Sequence, residues 1–500
     1  MASTENASDI HPKRLFIASC VSLIATSVAF ATVGAIMFTL KKEFVLTNAD
    51  VGWISGAALW GFAVSQLIFA PLCDNLGMKF LLRLAFVGHL IGALVMMVAN
   101  GFWMLFSGAL IIALGNGLVE AACNPLVAAL YPDNKTVKLN QFHVWFPGGI
   151  VLGGLAAFGL DAIGVSSWQI KLSLILIPTL LYGYLFLGQK FPHTEGVQSG
   201  VSMSEMFKAT LTTPLMWLML GCMAITASVE LGPNRWVPAV LEAGGLAGIL
   251  VLVWINGIMA VMRNFAGPLV HRLSPTGILL SSAIVAAIGL FWLSYAEGLV
   301  MAFASATVFA VGICYFWPTM LGFVSERIPK SGALGLGLMG AMGMCVVGLV
   351  TAPQMGSIAD KYAHEKFVEQ TQETVALFEE ASAGLANVPQ ISGRVGQDIR
   401  GAKEAVESAL QTYNSTGALP EPGTANAFRA LTDSGVEAAY IDKAKSMLGP
   451  ADNYGGRISF RYIVPFAGVI IVIFGLLYMQ DRKAGGYKIE KIQSDGARPA

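Results

Sequence analysis

Charge is scarce in this sequence. Asp, Glu, Lys and Arg make up 12 % of 500 residues, about half the share usual in a soluble domain. The charge present is concentrated, with 14 acidic and 9 basic residues between positions 359 and 457. The rest of the chain is too apolar for water and needs lipid as its solvent. Formal net charge is zero, so no nucleic-acid partner is indicated. Cysteine is sparse and unpatterned: Cys20, Cys73, Cys123, Cys222, Cys314 and Cys345 lie in or beside apolar runs. That excludes a disulfide framework and a metal-ligand spacing. The apolar runs are continuous rather than alternating, which excludes a β-barrel. No short leader with a small-residue cut site precedes the first long run, so that span is expected to be retained. A nucleophile–base set, a phosphate loop and a metal set are all missing. Neither an enzyme nor a bound cofactor is expected.

What is abundant is hydrophobic sequence, at 55 % of residues and a mean hydropathy of +0.65. A bilayer core of ~30 Å needs about 20 apolar residues per helix. Twelve segments qualify: 15–40, 50–73, 80–99, 102–131, 139–163, 168–189, 214–241, 247–270, 277–296, 298–324, 333–358 and 458–480. The chain also repeats itself. Ala70-Pro71-Leu72-Cys73-Asp74-Asn75-Leu76-Gly77 is answered by Gly267-Pro268-Leu269-Val270-His271-Arg272-Leu273, and Pro71/Pro268, Gly115/Gly312 and Pro132/Pro329 are each 197 apart. The expected organisation is an N-terminal six-helix bundle (1–189), a cytoplasmic linker (190–213), helices 7–11 (214–358), an extracytoplasmic helical insert (359–457), helix 12 (458–480) and a cytoplasmic tail (481–500). Two homologous bundles point to a secondary transporter with its site where the halves meet.

Basic residues in short loops orient the chain. With the N-terminus inside, the inner loops hold Lys79, Arg83, Lys135, Lys138, Lys190, Lys208, Arg272, Arg327 and Lys330, while the outer short loops hold mainly Lys41, Lys42 and Lys171. Both termini are therefore expected in the cytoplasm, with the chain in the plasma (inner) membrane. In the polar region, Val375, Leu377, Phe378, Val406 and Leu410 predict amphipathic helices interrupted at Pro389, Pro420 and Pro422. Such a region serves as a cap or spacer, or as a lid or partner-docking module.

The loop after helix 2 resembles that of the major facilitator superfamily, whose motif reads Gly-x-x-x-Asp-x-x-Gly followed by basic residues. Here Ala70 stands for the first glycine, Asp74 and Gly77 match, and Met78 replaces a usual arginine before Lys79. A narrower stretch is similar to the L-fucose–proton symporter family of sugar transporters. It comprises Glu120-Ala121-Ala122-Cys123-Asn124-Pro125, then Lys138-Leu139-Asn140, Pro147 and Gly149. The resemblance implies an all-α membrane fold of two pseudo-symmetric six-helix bundles. It also implies a cavity lined by helices 1, 4, 7 and 10, and an inner gate at Asp74, Gly77, Lys79 and Arg83. The chain departs from the narrower family in two ways. The span from Leu15 to Leu40 has no acid, where that family carries a proton-linked aspartate. His143 and Phe146 stand where its helix 5 has a glutamine and an asparagine.

Individual residues sharpen the picture. Asn116, Glu120 and Asn124 are spaced to stack on one helical face, which should meet a wet cavity or another helix rather than lipid. Burial disfavours the charged form of a carboxyl, so Glu120 is a candidate for exchanging a proton. The alternative is a hydrogen bond between helices or a buried ion pair. Thr226, Glu230 and Asn234 repeat the pattern on helix 7, where Gly232-Pro233-Asn234-Arg235-Trp236 is expected to break the helix. Glu230 either faces the cavity or pairs with Arg235 as an outer latch. The repeat places Trp317, within Tyr315-Phe316-Trp317-Pro318, opposite Glu120. An aromatic plate facing an acid and amides suits a sugar, and ordinary packing is the alternative. Arg263, the repeat partner of Gln66, shares a face with Asn256. It needs an acid or an anionic substrate, unless it snorkels to the surface. Gln141 and His143 open helix 5 as relay, donor or structural groups, while His89 reads as a packing histidine. Asp74 is expected to meet a helix dipole and Lys79 or Arg83. Gly148, Gly149, Gly153, Gly154, Gly335, Gly337, Gly340 and Gly343 allow close helix contacts.

The expected function is ion-coupled transport of a sugar or related small polar solute by alternating access, with a proton or sodium ion as the coupling cation. The alternative is transport of a sugar acid, another organic anion or a drug. A non-transporting sensor is the third reading. Expected partners are a small-molecule substrate, the cation and the lipid bilayer, with the chain a monomer.

Overall fold

A computed structural model describes residues 10–44, 46, 48–246, 248–388 and 393–492. Among them no strand occurs, and the regular structure is helical. Eleven helices are long and apolar enough to cross a membrane, and a twelfth, Gly248–Asn264, is shorter. Its 17 residues still reach about 26 Å, the lower limit for a span. In chain order the spans are α1 (Pro12–Glu43), α2 (Asn48–Phe69), α3 (Met78–Met97), α4 (Phe102–Leu130), α5 (Lys135–Ala162) and α6 (Trp168–Phe186). The second set is α7 (Pro214–Ala243), α8 (Gly248–Asn264), α9 (Ala266–Leu293), α10 (Gly298–Arg327), α11 (Pro329–Glu369) and α12 (Ala439–Lys483). The expected twelve-helix fold in two related bundles is the fold observed. The end of the bundles that carries Pro12 and Lys483 is termed the base, and the opposite end the head.

The repeat is visible in packing as well as in sequence. A Cβ on Gly92 of α3 would lie 2.8 Å from Ile112 N of α4, and one on Gly289 of α9 would lie 2.3 Å from Phe309 N of α10. Gly115 and Gly312, on the α4 and α10 sides of the same contacts, are equally tight, against His89 and Ala286. All four are repeat partners at the 197-residue offset. With no lipid–protein difference in apolarity to drive association, close backbone approach is what holds such pairs together.

Proline decides where spans bend, but not always where the sequence pointed. Helix α7 runs unbroken through Gly232, Pro233 and Asn234, correcting the break expected there. Gly232 packs against Thr351 and Met355 of α11, and the helix continues past the lost hydrogen bond. Breaks occur instead in α5 at Val144, in α6 at Leu174 and Ile175, and in α10 at Cys314 and Tyr315. Each lies just before a proline, Pro147, Pro178 or Pro318. Helix α9 kinks at Ser274, whose φ is 63°.

Helices α11 and α12 continue well past the span boundaries read from the sequence, so positions 359 and 457 both lie inside helices. They carry three helices at the head: Thr371–Ala386, Arg394–Thr416 and Gly423–Asp433. Pro389 lies outside the described residues. The head has its own apolar core, with Phe367 stacked on Phe428 at 4.4 Å and Phe378 at 5.0 Å from the same ring. Arg429 clamps it to both extensions through Asp360 at 2.7 Å and Asp452 at 3.0 Å.

Replacing Gly289 with Val should drive a side chain into the Phe309 backbone, at a cost of about 1–3 kcal/mol. Thermal unfolding in detergent measures this. Gly221→Val, whose Cβ meets nothing within 4 Å, is the control and should unfold near the wild-type temperature.

Candidate functional site

The breaks in α5 and α10 create the chemistry at the centre. An unbroken helix bonds each C=O to the N–H four residues on, and proline has no N–H to give. Pro318 therefore orphans the Cys314 carbonyl, and Pro147 orphans that of His143. Buried carbonyls need donors. Arg263 supplies both: Nε donates to Cys314 O at 2.6 Å, and a guanidinium nitrogen donates to His143 O at 3.0 Å. The other guanidinium nitrogen donates to Glu230 Oε1 at 2.8 Å. The second oxygen of Glu230 accepts the backbone N–H of Trp317 at 3.2 Å, an otherwise unpaired donor in the first turn after the α10 break. One arginine and one glutamate thus terminate both sides of the break. Arg263 is 1 % exposed and Glu230 3 %, so neither charge would be tolerable alone.

Arg263 accordingly has an acidic partner and does not snorkel. Of the two readings of Glu230, its pairing with Arg235 is corrected: Glu230 is taken by Arg263. Arg235 points into a separate cavity nearer the head.

Glu120 is placed differently. Its Oε2 accepts the Asn124 amide at 3.1 Å. Asn124 Oδ1 in turn lies 3.1 Å from His143 Nε2, and His143 Nδ1 is 3.9 Å from Glu120 Oε1. No arginine bonds to Glu120 directly. Glu120, His143, Glu230, Arg263 and Trp317 line one central cavity with Phe62, Phe146 and Met344. Glu120 and Trp317 do share one chamber across the two halves. Its volume is about 20 Å3, room for about one water, so a solute of sugar size requires it to widen.

Several expected members sit elsewhere. Asn116 leaves the stripe: its Oδ1 is bound by His89 at 2.8 Å, while His89 also contacts Tyr182 at 3.0 Å. His89 is a packing histidine. Gln141 accepts from Lys138 at 2.9 Å and does not line the central cavity. Tyr315 bonds Met262 O at 2.8 Å, bracing the break. Asn234 is buried with its side-chain oxygen unpartnered. The sequence reading gave no site role to Gln66, although it is the repeat partner of Arg263. Both its amide atoms are buried without partners, against Gly340. The Trp317 indole N–H is likewise unpartnered.

At the base, Asp74 does not pair with Lys79 or Arg83, which corrects that expectation. Its Oδ1 accepts the Thr194 hydroxyl at 2.5 Å. Burial pushes the Asp74 carboxyl above its ordinary pKa, partly offset by that bond. Gly77, at φ 80°, forms the turn into α3, Lys79 is half-buried and Arg83 is exposed. Further polar contacts between the halves, beyond the Arg263 bond to His143 O, lie nearby and have no counterpart in the sequence expectations. Glu326 Oε1 accepts the Thr136 N–H at 3.0 Å and its hydroxyl at 2.8 Å. Lys135 reaches Glu195 at 2.5 Å and Ser325 O at 3.2 Å, and Asn140 donates to Thr319 at 3.1 Å. Tyr487 closes over Glu326 at 2.9 Å. A larger cavity of about 350 Å3 opens at this end, but the carboxylates in its wall, Asp133, Glu326 and Asp481, all bond elsewhere.

Against known proteins, the Major Facilitator Superfamily profile matches residues 15–363. A hexose transporter of Saccharomyces cerevisiae, HXT17, is 28 % identical over 144 residues, covering 28 % of this chain and 25 % of the relative. The chain thus spans about a quarter of the length of the first such relatives. Among solved structures, the transporter FucP in its outward conformation is 20 % identical, with a TM-score of 0.57 over 69 % of this chain and 92 % of that one. The proton:xylose symporter XylE is 15 % identical, with a TM-score of 0.60 over 69 % and 88 %. At these identities the likeness is one of fold.

Arg263→Leu should strand Glu230 as an unpaired buried acid and lower stability by about 3–5 kcal/mol. Adding Glu230→Gln should recover part of that loss. Unfolding midpoints of the single and double variants decide it, and a single variant as stable as wild type would show the hub to be idle.

Proposed function

Because the chain belongs to the Major Facilitator Superfamily, we propose that it is a secondary active transporter of a small hydroxylated solute of sugar size, coupled to a proton through Glu120. The solute binds between the halves, where Trp317 offers a ring face and an unpartnered N–H; the buried Gln66 amide, unpartnered and outside the resting cavity's lining, becomes available as the cavity widens. Unsatisfied buried donors and acceptors are costly, and a polyol can satisfy them. A ring face beside such groups is how sugars are commonly held.

The observation that carries the coupling assignment is the contrast between the two central carboxyls. Glu230 is held by a guanidinium and a backbone N–H, so protonating it would break both. Glu120 accepts a hydrogen bond from the Asn124 amide and none from a guanidinium, so its charge can change at lower cost. His143, 3.9 Å away, is positioned to pass or share the proton.

Movement follows from what joins the halves. The base is held by Lys135, Thr136 and Asn140 from one half, and Ser325, Glu326 and Thr319 from the other. Solute therefore loads from the head in this state, and the base bonds must part for release. The loop-charge bias supports a cytoplasmic base and a plasma-membrane location. The chain acts as a monomer.

Glu120→Gln, reconstituted in liposomes, should keep solute exchange in counterflow but lose uphill uptake driven by a pH gradient. A variant that still accumulates solute as wild type does would remove Glu120 from the coupling role.

A further inference from the structure

Arg235 lies five residues beyond Glu230 on α7 and eight before its end at Ala243. At 1.5 Å per residue it sits roughly 12 Å below the top of that helix, within the spanning bundle. Its side chain is exposed, and it faces a cavity of about 60 Å3 toward the head. The opposite wall comes from the first bundle and is mostly apolar: Ala29, Phe30, Val33, Met37 and Ile112, with Asn116. No Asp or Glu lines that cavity. Among the described residues Arg235 makes no hydrogen bond and no ion pair. Its nearest sequence candidate, Glu230, is consumed by Arg263 and Trp317. Next to it, Asn234 holds a buried side-chain oxygen with no partner.

A permanently charged guanidinium between apolar walls at membrane depth marks a substrate or ion path. Its planar fork fits a carboxylate with two parallel bonds. The low-dielectric surroundings strengthen that attraction. We propose that Arg235 receives a carboxylate on the transported solute, so that the substrate is a hydroxylated organic anion of the sugar-acid class rather than a neutral sugar. This rests on the transporter reading above and narrows its substrate.

Charge counting extends the inference. The carboxylates and guanidinium groups lining the two cavities are Glu120, Glu230, Arg263 and Arg235. Glu230 and Arg263 neutralise each other. A carboxylate on Arg235 together with a proton on Glu120 leaves the chamber neutral. One monoanion and one proton then travel as an electroneutral pair, whereas a neutral sugar with a proton would carry net charge.

The test uses the purified full chain with matched solutes: glucose and glucuronate, galactose and galacturonate, xylose and xylonate. The acids should raise the unfolding temperature and be taken up, and their neutral counterparts should not. Uptake of the acids should follow the pH gradient and ignore an imposed membrane potential. Arg235→Gln, checked for a monodisperse folded peak, should weaken acid binding at least roughly tenfold, the loss of a charge-assisted bond. Arg235→Lys should retain part of it. If neutral sugars bind and are carried as well as the acids, and Arg235→Gln leaves this unchanged, the anion assignment falls while the transporter reading stands. If no solute of either kind binds or moves, both fall together.

Discussion

The centre of the molecule depends on one arginine satisfying two broken helices at once. Pro318 and Pro147 each remove a donor that an unbroken helix would have used. The carbonyls left behind, at Cys314 and His143, belong to different halves of the chain. Arg263 bonds both, and Glu230 balances its charge while capping the restarted helix at Trp317. The irregular backbone, the buried ion pair and the junction between the halves are therefore one construction. Each part would be costly without the others, since a lone buried charge and an orphaned carbonyl both lack solvent to turn to.

That arrangement separates two kinds of polar group. Glu230 and Arg263 are fully committed to structure. Glu120 and the Trp317 indole, by contrast, keep unused capacity around a chamber of about 20 Å3, and the buried Gln66 amide outside its lining is unpartnered too. A site that is partly unsatisfied at rest is one that a ligand can complete. The base shows the opposite condition: Glu326 accepts from Thr136 and Tyr487, and Lys135 is bonded both to the linker at Glu195 and to the second half at Ser325.

The sequence carried the larger features because they rest on periodicity and composition. Apolar length gave twelve spans, and the 197-residue offset gave two bundles and the facing of Glu120 and Trp317 across one chamber. Where the reading went astray, neighbours unseen in the sequence decided the matter. Pro233 and Pro318 look alike in the chain, yet α11 packs against Gly232 and α7 stays continuous there. Glu230 has Arg235 nearby in sequence but Arg263 nearby in space. Asn116 has the right spacing to join Glu120, but His89 on the adjoining helix binds it first. The bonds at the base escaped notice because Thr136 and Glu326 come from opposite halves with no shared motif. Gln66 is the exception: its repeat relation to Arg263 was a usable signal, and only its unpartnered amide gives that signal meaning.

The long continuations of α11 and α12 have a mechanical corollary. Helix α11 with its extension has 41 residues, about 60 Å of rod, and α12 has 45. The two are braced side by side where Gly455 meets the Ala359 backbone, and Arg429 rivets the head to both. A ten-degree tilt of such a pair about its foot would sweep its tip through about 10 Å at that length. The head is thus the far end of a lever, where small angular changes among buried helices become displacements large enough to be felt by anything resting on it.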